Sequence, residues 1–297
     1  MRDTRPVTLR IVDKELTVGE RVLKYSVYGD TDGVPVLSHG GSPSTRWKRP
    51  DVVRTAEDCG VHLVVPDRPG YGGSTRKPGR TVADVVDDVT ALADVLGWER
   101  FAVSGGSGGG PHALACAALL SDRVTRCAVS GGITPPLVDG PEPDGDEEDP
   151  RRNRTSWLAA RGEEYIRPSI EEAARSIMAG IEAGGPEFPP DPHFPTPLVP
   201  ARDDPDAMAR LTATFVTSHD GWVDDNLAFA NDWGFSLDDV RVPTSIWFGS
   251  ADDRARKYAG LLTAAIPHAE RMPYTGGHIQ PAPAFRAMLD WLGGRLT

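Results

Sequence analysis

Residues 105–109 read Gly105-Gly106-Ser107-Gly108-Gly109, a G-x-S-x-G run. It follows a short apolar stretch, Arg100-Phe101-Ala102-Val103-Ser104, and precedes the strong helix formers of residues 111–120. A serine carried through a sharp strand-to-helix turn lifts its hydroxyl above the sheet edge, and only small neighbours tolerate such a turn. At neutral pH that hydroxyl is a weak nucleophile. It needs a base within hydrogen-bond reach, and the base needs an acid to orient it. His278 suits the base, because it follows the small-residue loop Thr275-Gly276-Gly277 directly after the last predicted strand. Asp252 suits the acid: it stands just past a predicted strand over 244–249, with one helix and one strand between it and His278. Asp253, one residue on, and Asp139, after the preceding strand, compete for that place. Ser107, His278 and Asp252 then act as nucleophile, base and orienting carboxylate. Asp252 would fix the tautomer of His278 and stabilise its imidazolium without taking a proton.

Acyl transfer also needs two amide donors aimed at the developing oxyanion. The residue after the nucleophile, Gly108, supplies one. The other is expected from the turn His39-Gly40-Gly41-Ser42-Pro43, with Gly41 first and Ser42 next to it. His39 is assigned to supporting this loop by hydrogen bonding.

These residues are useful only if the chain returns them to one edge of a sheet. Residues 7–12 and 22–28 alternate in polarity and predict two antiparallel strands at a sheet edge. Residues 34–38, 61–66, 100–104 and 124–129 are short buried-strand runs, and helical segments separate them. One helix is predicted to start at Thr81, with Thr81 as cap and Asp84 three residues on; Val85, Val89, Leu92 and Leu96 form its apolar stripe. This alternation predicts an α/β fold with a mostly parallel, doubly wound sheet covered on both faces. Residues 1–133 and 240–297 form that core.

Residues 134–239 break the pattern. Seven of the eleven residues in 139–149 are acidic, and eight prolines fall within 186–205. Helices are expected near 168–183, 206–217 and 222–231. Such a helical, proline-rich insertion would overhang the strand ends as a lid. Trp222 and Trp233 are its expected substrate contacts, together with Ser42 on the core side, while at least half of its aromatics pack the lid's own core. The acidic segment reads as a solvated surface loop.

Composition narrows the partners. A net charge of −11 with no basic stripe argues against nucleic acid and anionic membranes. No apolar run approaches the ~20 residues that cross a bilayer. The first residues lack an apolar signal region, so a cytoplasmic location is expected. Cys59, Cys116 and Cys127 are widely spaced and read as reduced. No zinc spacing is present, and the proposed chemistry calls for a small-molecule substrate and no metal or cofactor.

The order Ser107, Asp252, His278, the His39-Gly40 turn, the loop Asp67-Arg68-Pro69-Gly70-Tyr71-Gly72-Gly73-Ser74, the Gly249-x-x-Asp252 segment and the late Gly-His pair together resemble the α/β-hydrolase family, in its esterase and proline-iminopeptidase-like branch. The resemblance covers nearly all of residues 20–295 and is least specific in the insertion. It implies a cofactor-independent serine hydrolase that cleaves carboxylic esters or lactones. Proline iminopeptidases usually carry His-Gly-Gly-Pro-Gly at the oxyanion turn, whereas Ser42 precedes Pro43 here. Many relatives have Val-Pro soon after the acid, where this chain has Arg254-Ala255-Arg256. The Asp67-Arg68 pair reads as loop scaffolding. Two rival readings are an aminopeptidase holding a free amine on Glu163, Glu164, Glu171 or Glu172, and a hydrolase-fold protein that binds a small ligand without turnover.

Overall fold

Short β-branched runs, each stopped by glycine, proline or a polar turn, leave the chain few ways to bury its backbone other than by pairing side by side. The computed structural model describes residues 12–144, 148–187 and 201–296. Eight strands form one sheet: β1 (Val12–Val18), β2 (Arg21–Gly29), β3 (Val34–His39), β4 (Val61–Pro66), β5 (Phe101–Gly106), β6 (Val124–Ser130), β7 (Thr244–Gly249) and β8 (Glu270–Tyr274). Their order is β1-β2-β4-β3-β5-β6-β7-β8. β2 pairs antiparallel with β1 and with β4, and every other pairing is parallel. All six residues of β4 and of β7 are buried, as strands covered on both faces require. Of the strand expected over 7–12, residues 7–11 fall outside the described residues; among those described, Val12–Val18 make the hairpin with β2.

Helices α1 (Pro50–Asp58), α2 (Val85–Val95), α3 (Gly110–Leu119), α8 (Asp253–Ala265) and α9 (Ala282–Leu292) cover the sheet. One face packs Val89, Leu92, Leu114, Val103, Ile246 and Leu262. The other packs Val53, Leu63, Trp247, Leu289 and Trp291. α2 begins at Val85, not Thr81, because the expected cap is inverted. The Asp84 carboxylate accepts from the Thr81 amide at 2.6 Å and from its hydroxyl at 2.9 Å, which ties off the turn before the helix. The three cysteines are free and buried, and burial pushes the Cys116 thiol up to about 12.

Between β6 and β7 lie α4 (Arg154–Ala159), α5 (Glu163–Glu182), α6 (Pro205–Phe215) and α7 (Asp220–Ala230). Leu158, Ile166, Ile170 and Val223 make one small core here, and Ile181, Ala207 and Leu211 make another. α7 is shared. Val223 faces the insertion, while Ala228 and Phe229 enter the sheet-side core. Residues 145–147 of the acidic segment and 188–200 of the proline-rich stretch lie outside the described residues.

Candidate active site

β5 ends at Gly106, a 3-10 turn spans Ser107–Gly109, and α3 starts at Gly110. Ser107 has φ +49°, the only positive φ on a non-glycine residue among those described. For an ordinary side chain that conformation costs on the order of 1–3 kcal/mol and persists only where the surroundings enforce it. They do so by close approach. A Cβ on Gly105 would collide with the Gly109 carbonyl, and one on Gly109 would collide with the carbonyls of His39 and Gly40. Gly106, at a variable position of the pattern, has open space where its Cβ would stand.

Asp252 caps α8, its Oδ1 accepting from the Ala255 amide at 2.8 Å. Its Oδ2 lies 2.7 Å from Nδ1 of His278. Burial alone would raise the Asp252 carboxyl, but the bonds to His278 and Ala255, with the charges of His278 and Arg254, hold it below its ordinary value. With Nδ1 engaged, Nε2 remains for a second partner. The imidazole rests against bare backbone at the end of β6, where a Cβ on Gly131 would stand 3.0 Å from its Cε1. Asp253 is turned outward to Arg256 at 2.8 Å, and Asp139 is exposed, so neither competitor meets His278.

Ser107, Ser42 and His278 line two cavities. The larger, about 480 Å³, runs along residues 38–49 to Phe215, Gln280 and Met288. The smaller, about 420 Å³, reaches Trp222, Asn226, Asp252 and Tyr258. A Cβ on Gly41 would stand 3.6 Å from the Ser107 Cβ, and one on Gly108 would strike Ser42. The two turns chosen for oxyanion donors thus abut each other beside the serine. Trp233 does not join the site: it is 3% exposed, packs in the sheet-side core and donates from Nε1 to the Phe229 carbonyl. The place given to it as a substrate contact is corrected by that burial.

The turn expected to supply an oxyanion donor is held from behind by Arg68, in keeping with its reading as loop scaffolding, and by a carboxylate that the sequence analysis did not single out. Arg68 donates to the Gly40 carbonyl at 2.6 Å and to the Gly41 carbonyl at 2.8 Å. A trans peptide points its N–H opposite its C=O. Clamping these two carbonyls therefore turns the Gly41 and Ser42 amides away from Arg68. Arg68 is held by the fully buried Asp225 of α7, at 2.6 Å, and Asp225 also accepts from Arg80 at 2.6 Å, Tyr71 at 2.9 Å and the Ser42 hydroxyl. Burial opposes ionisation of Asp225, yet Arg68 and Arg80 hold its carboxyl well below the usual range. Asp67, the neighbour of Arg68, takes the amide and guanidinium of Arg46, so both halves of the pair scaffold loops. A signal for Asp225 was present: the polar stretch Asp224-Asp225-Asn226 stands between Trp222-Val223 and Leu227-Ala228-Phe229-Ala230, and a carboxylate buried among apolar residues needs cationic partners.

His39 packs its buried ring 5.9 Å from that of His112, has Nε2 3.8 Å from Cys116 Sγ of α3 and keeps Nδ1 unpartnered, so its side-chain hydrogen bond goes to α3 and not to the turn. Burial and the neighbouring cations lower its pKa well below that of a free imidazole. His112, pulled down to about 4 chiefly by burial, is likewise a neutral core ring. Among the described residues no group of histidine, cysteine and acidic side chains could hold a metal ion, and no helix is long and apolar enough to cross a membrane.

Residues 34–281 match the alpha/beta hydrolase fold family, and the chain belongs to that family. It is 29% identical over 179 residues to the uncharacterized hydrolase YcgS of Bacillus subtilis (strain 168). That match covers 58% of this chain and 55% of YcgS, so the chain spans about half the length of the curated relative it matches. Among solved structures it is similar to the enol-lactonase from Burkholderia xenovorans LB400, with TM-score 0.65 and 19% identity over 94% of this chain and 99% of that one. It is also similar to a thermophilic esterase from Thermogutta terrifontis, with TM-score 0.64 and 20% identity over 96% of this chain and 100% of that one. The epoxide hydrolase CorEH superposes with TM-score 0.68 and 17% identity, covering 95% of this chain and 96% of that one. At these identities the likeness is one of fold.

Proposed function

We propose that the chain is a serine hydrolase that cleaves carboxylic esters or lactones through an acyl-enzyme on Ser107. The observation that carries this reading is the 2.7 Å bond from Asp252 to Nδ1 of His278, on the rim of cavities that Ser107 also lines. That bond leaves Nε2 to take the Ser107 proton as Oγ attacks the carbonyl. The negative charge developing on the carbonyl oxygen meets the Gly108 amide and the Gly41 or Ser42 amide, which Arg68 aims. His278 passes its proton to the leaving alcohol, then takes one from the water that releases the acid. Nothing in this sequence calls for a cofactor. α6 and α7 supply Phe215 and Trp222 to the two cavities, and the insertion acts as the lid over a small-molecule substrate. The likeness in fold to an esterase and an enol-lactonase agrees with this reading.

The aminopeptidase reading has less to stand on. Glu163, Glu164, Glu171 and Glu172 line neither cavity, and Glu163 is engaged with Arg76 at 3.0 Å and Arg167 at 2.6 Å. Hydrolysis of 4-nitrophenyl butyrate tests the proposal. Ser107→Ala should lose at least ~10³-fold in kcat while keeping the wild-type unfolding curve. Turnover retained by the folded variant would remove Ser107 as the nucleophile.

A further inference from the structure

The larger cavity beside Ser107 holds a positive charge with no counter-ion among the described residues. The charged residues lining it, among those described, are Lys48, Arg49, Asp51, Glu187 and Arg210. Arg49 is bridged to Asp51 at 2.9 Å, and Arg210 to Glu187 at 3.0 Å. The Lys48 ammonium has no ion pair or hydrogen bond to any described residue; only its backbone amide is engaged, with the Tyr28 hydroxyl at 3.2 Å. It hangs over the oxyanion turn, with Nζ 3.5 Å from where a Cβ on Gly40 would stand. Two further donors on residues that line this cavity are buried without a partner among the described residues: the side-chain nitrogen of Gln280, two residues past His278, and Nε of Arg210, whose Nη2 is the atom bridged to Glu187. The same cavity is also lined by the apolar side chains of Val52, Leu63, Phe215, Phe285 and Met288.

Lys48 is partly buried, and an ammonium on the wall of a largely apolar cavity beside other cations gains stabilisation from an anion. The pKa of Lys48 agrees: burial, reinforced by Arg68 and Arg49 and opposed by Asp67, draws it down to about 8. That value still lies above neutral pH, so the group carries its proton there. The chain's overall negative charge does not cancel this, since exposed charges are screened beyond about 8 Å at physiological salt.

Resting on the ester-cleaving reading, we propose that Lys48 and Gln280 form a carboxylate-binding subsite, and that the substrate is an ester or lactone bearing a free carboxylate a short apolar chain away from the bond that is cut. The carboxylate accepts from the Lys48 ammonium and the Gln280 amide, and its methylenes lie on the apolar walls. The same charge counts against a substrate presenting a free amine, because an ammonium would meet Lys48.

Matched pairs of esters that differ only in that charge test the proposal. On the acyl side, the pair is the mono-4-nitrophenyl ester of adipic acid with its far carboxyl free or methylated. On the alcohol side, it is the butyrate ester of 6-hydroxyhexanoic acid with its carboxyl free or methylated. In at least one pair the free acid should have a kcat/KM ten-fold or more above its methyl ester. That ratio should fall to within about three-fold of unity in Lys48→Met and survive in Lys48→Arg. A wild type without preference in either pair, or a preference that persists in Lys48→Met, overturns the subsite. If the wild type hydrolyses none of the four esters, the ester-cleaving reading is what fails. Calorimetry on Ser107→Ala then decides the subsite alone. Monomethyl adipate should bind at least ten-fold more tightly than dimethyl adipate, with the difference lost in Ser107→Ala/Lys48→Met; equal binding overturns it.

Discussion

Asp225 and Arg68, 157 residues apart in the chain, meet at 2.6 Å with both side chains buried, and the same guanidinium grips the carbonyls of Gly40 and Gly41. The partner of the oxyanion turn is thus a helix of the insertion. α7 is tied to the sheet core through a carboxylate whose neighbours Arg80, Tyr71 and Ser42 leave it no access to solvent. A buried pair of this kind need not add to stability compared with an apolar packing. Removing one partner is different, because the other charge is then stranded.

Asp225→Asn should therefore destabilise the fold by about 3–5 kcal/mol in urea unfolding. In protein that remains folded, kcat should fall by about ten-fold or more with KM changed much less, since the amide donors act on the transition state. The pH dependence has a definite sign. The native Asp225 carboxyl titrates well below its unfolded value of 3.8, so its stabilisation is complete above about pH 5 and is lost as pH falls below about 4. The stability gap between wild type and Asp225→Asn should narrow between pH 5 and pH 3. A gap that stays constant across that range would contradict the ionised pair.

Asp252→Asn keeps the size of the side chain but offers His278 the wrong hydrogen-bonding partner, favouring the tautomer that cannot take the serine proton. A fall of about 10⁴ in kcat is expected, with the melting temperature little changed. Asp253→Asn, on the exposed neighbour paired with Arg256, should leave the rate within about two-fold. Steady-state kinetics on the two variants separates the registers, and a larger loss for Asp253→Asn would reassign the acid.

The elbow glycines should differ sharply. Gly105→Ala drives a methyl into the Gly109 carbonyl, so backbone must move, at a cost of at least about 1–3 kcal/mol. Gly106→Ala meets nothing within 4 Å and has φ −98°, an ordinary conformation, so it should unfold with the wild type. Parallel urea titrations check this. Equal stabilities would mean that the elbow is looser than its close contacts imply.

The two fixed glycines and the serine were readable because a tight strand-to-helix turn leaves a local imprint: both glycines that the pattern keeps, Gly105 and Gly109, stand where a Cβ would meet backbone carbonyls. Asp252 and His278 were placed by topology, since parallel strands return every loop of interest to one edge, and their 2.7 Å bond lies where that return puts it. Asp225 was invisible as a partner of the oxyanion turn because its contacts depend on how the insertion packs, and periodicity carries no such information. The two tryptophans show the same limit. Trp222 and Trp233 sit eleven residues apart on similar apolar ground, yet one lines a cavity and the other fills the core. Lys48 carries no signal in the sequence, because which of the neighbouring charges pair with one another is decided only by the fold.

The central claim is that Ser107 is an activated nucleophile. Intact-mass analysis after incubation with a fluorophosphonate tests it most directly. One adduct on the wild type is predicted, mapping by peptide digestion to Ser107 and absent from Ser107→Ala. Folded wild-type protein that takes up no adduct, or an adduct that persists in Ser107→Ala, would contradict the account.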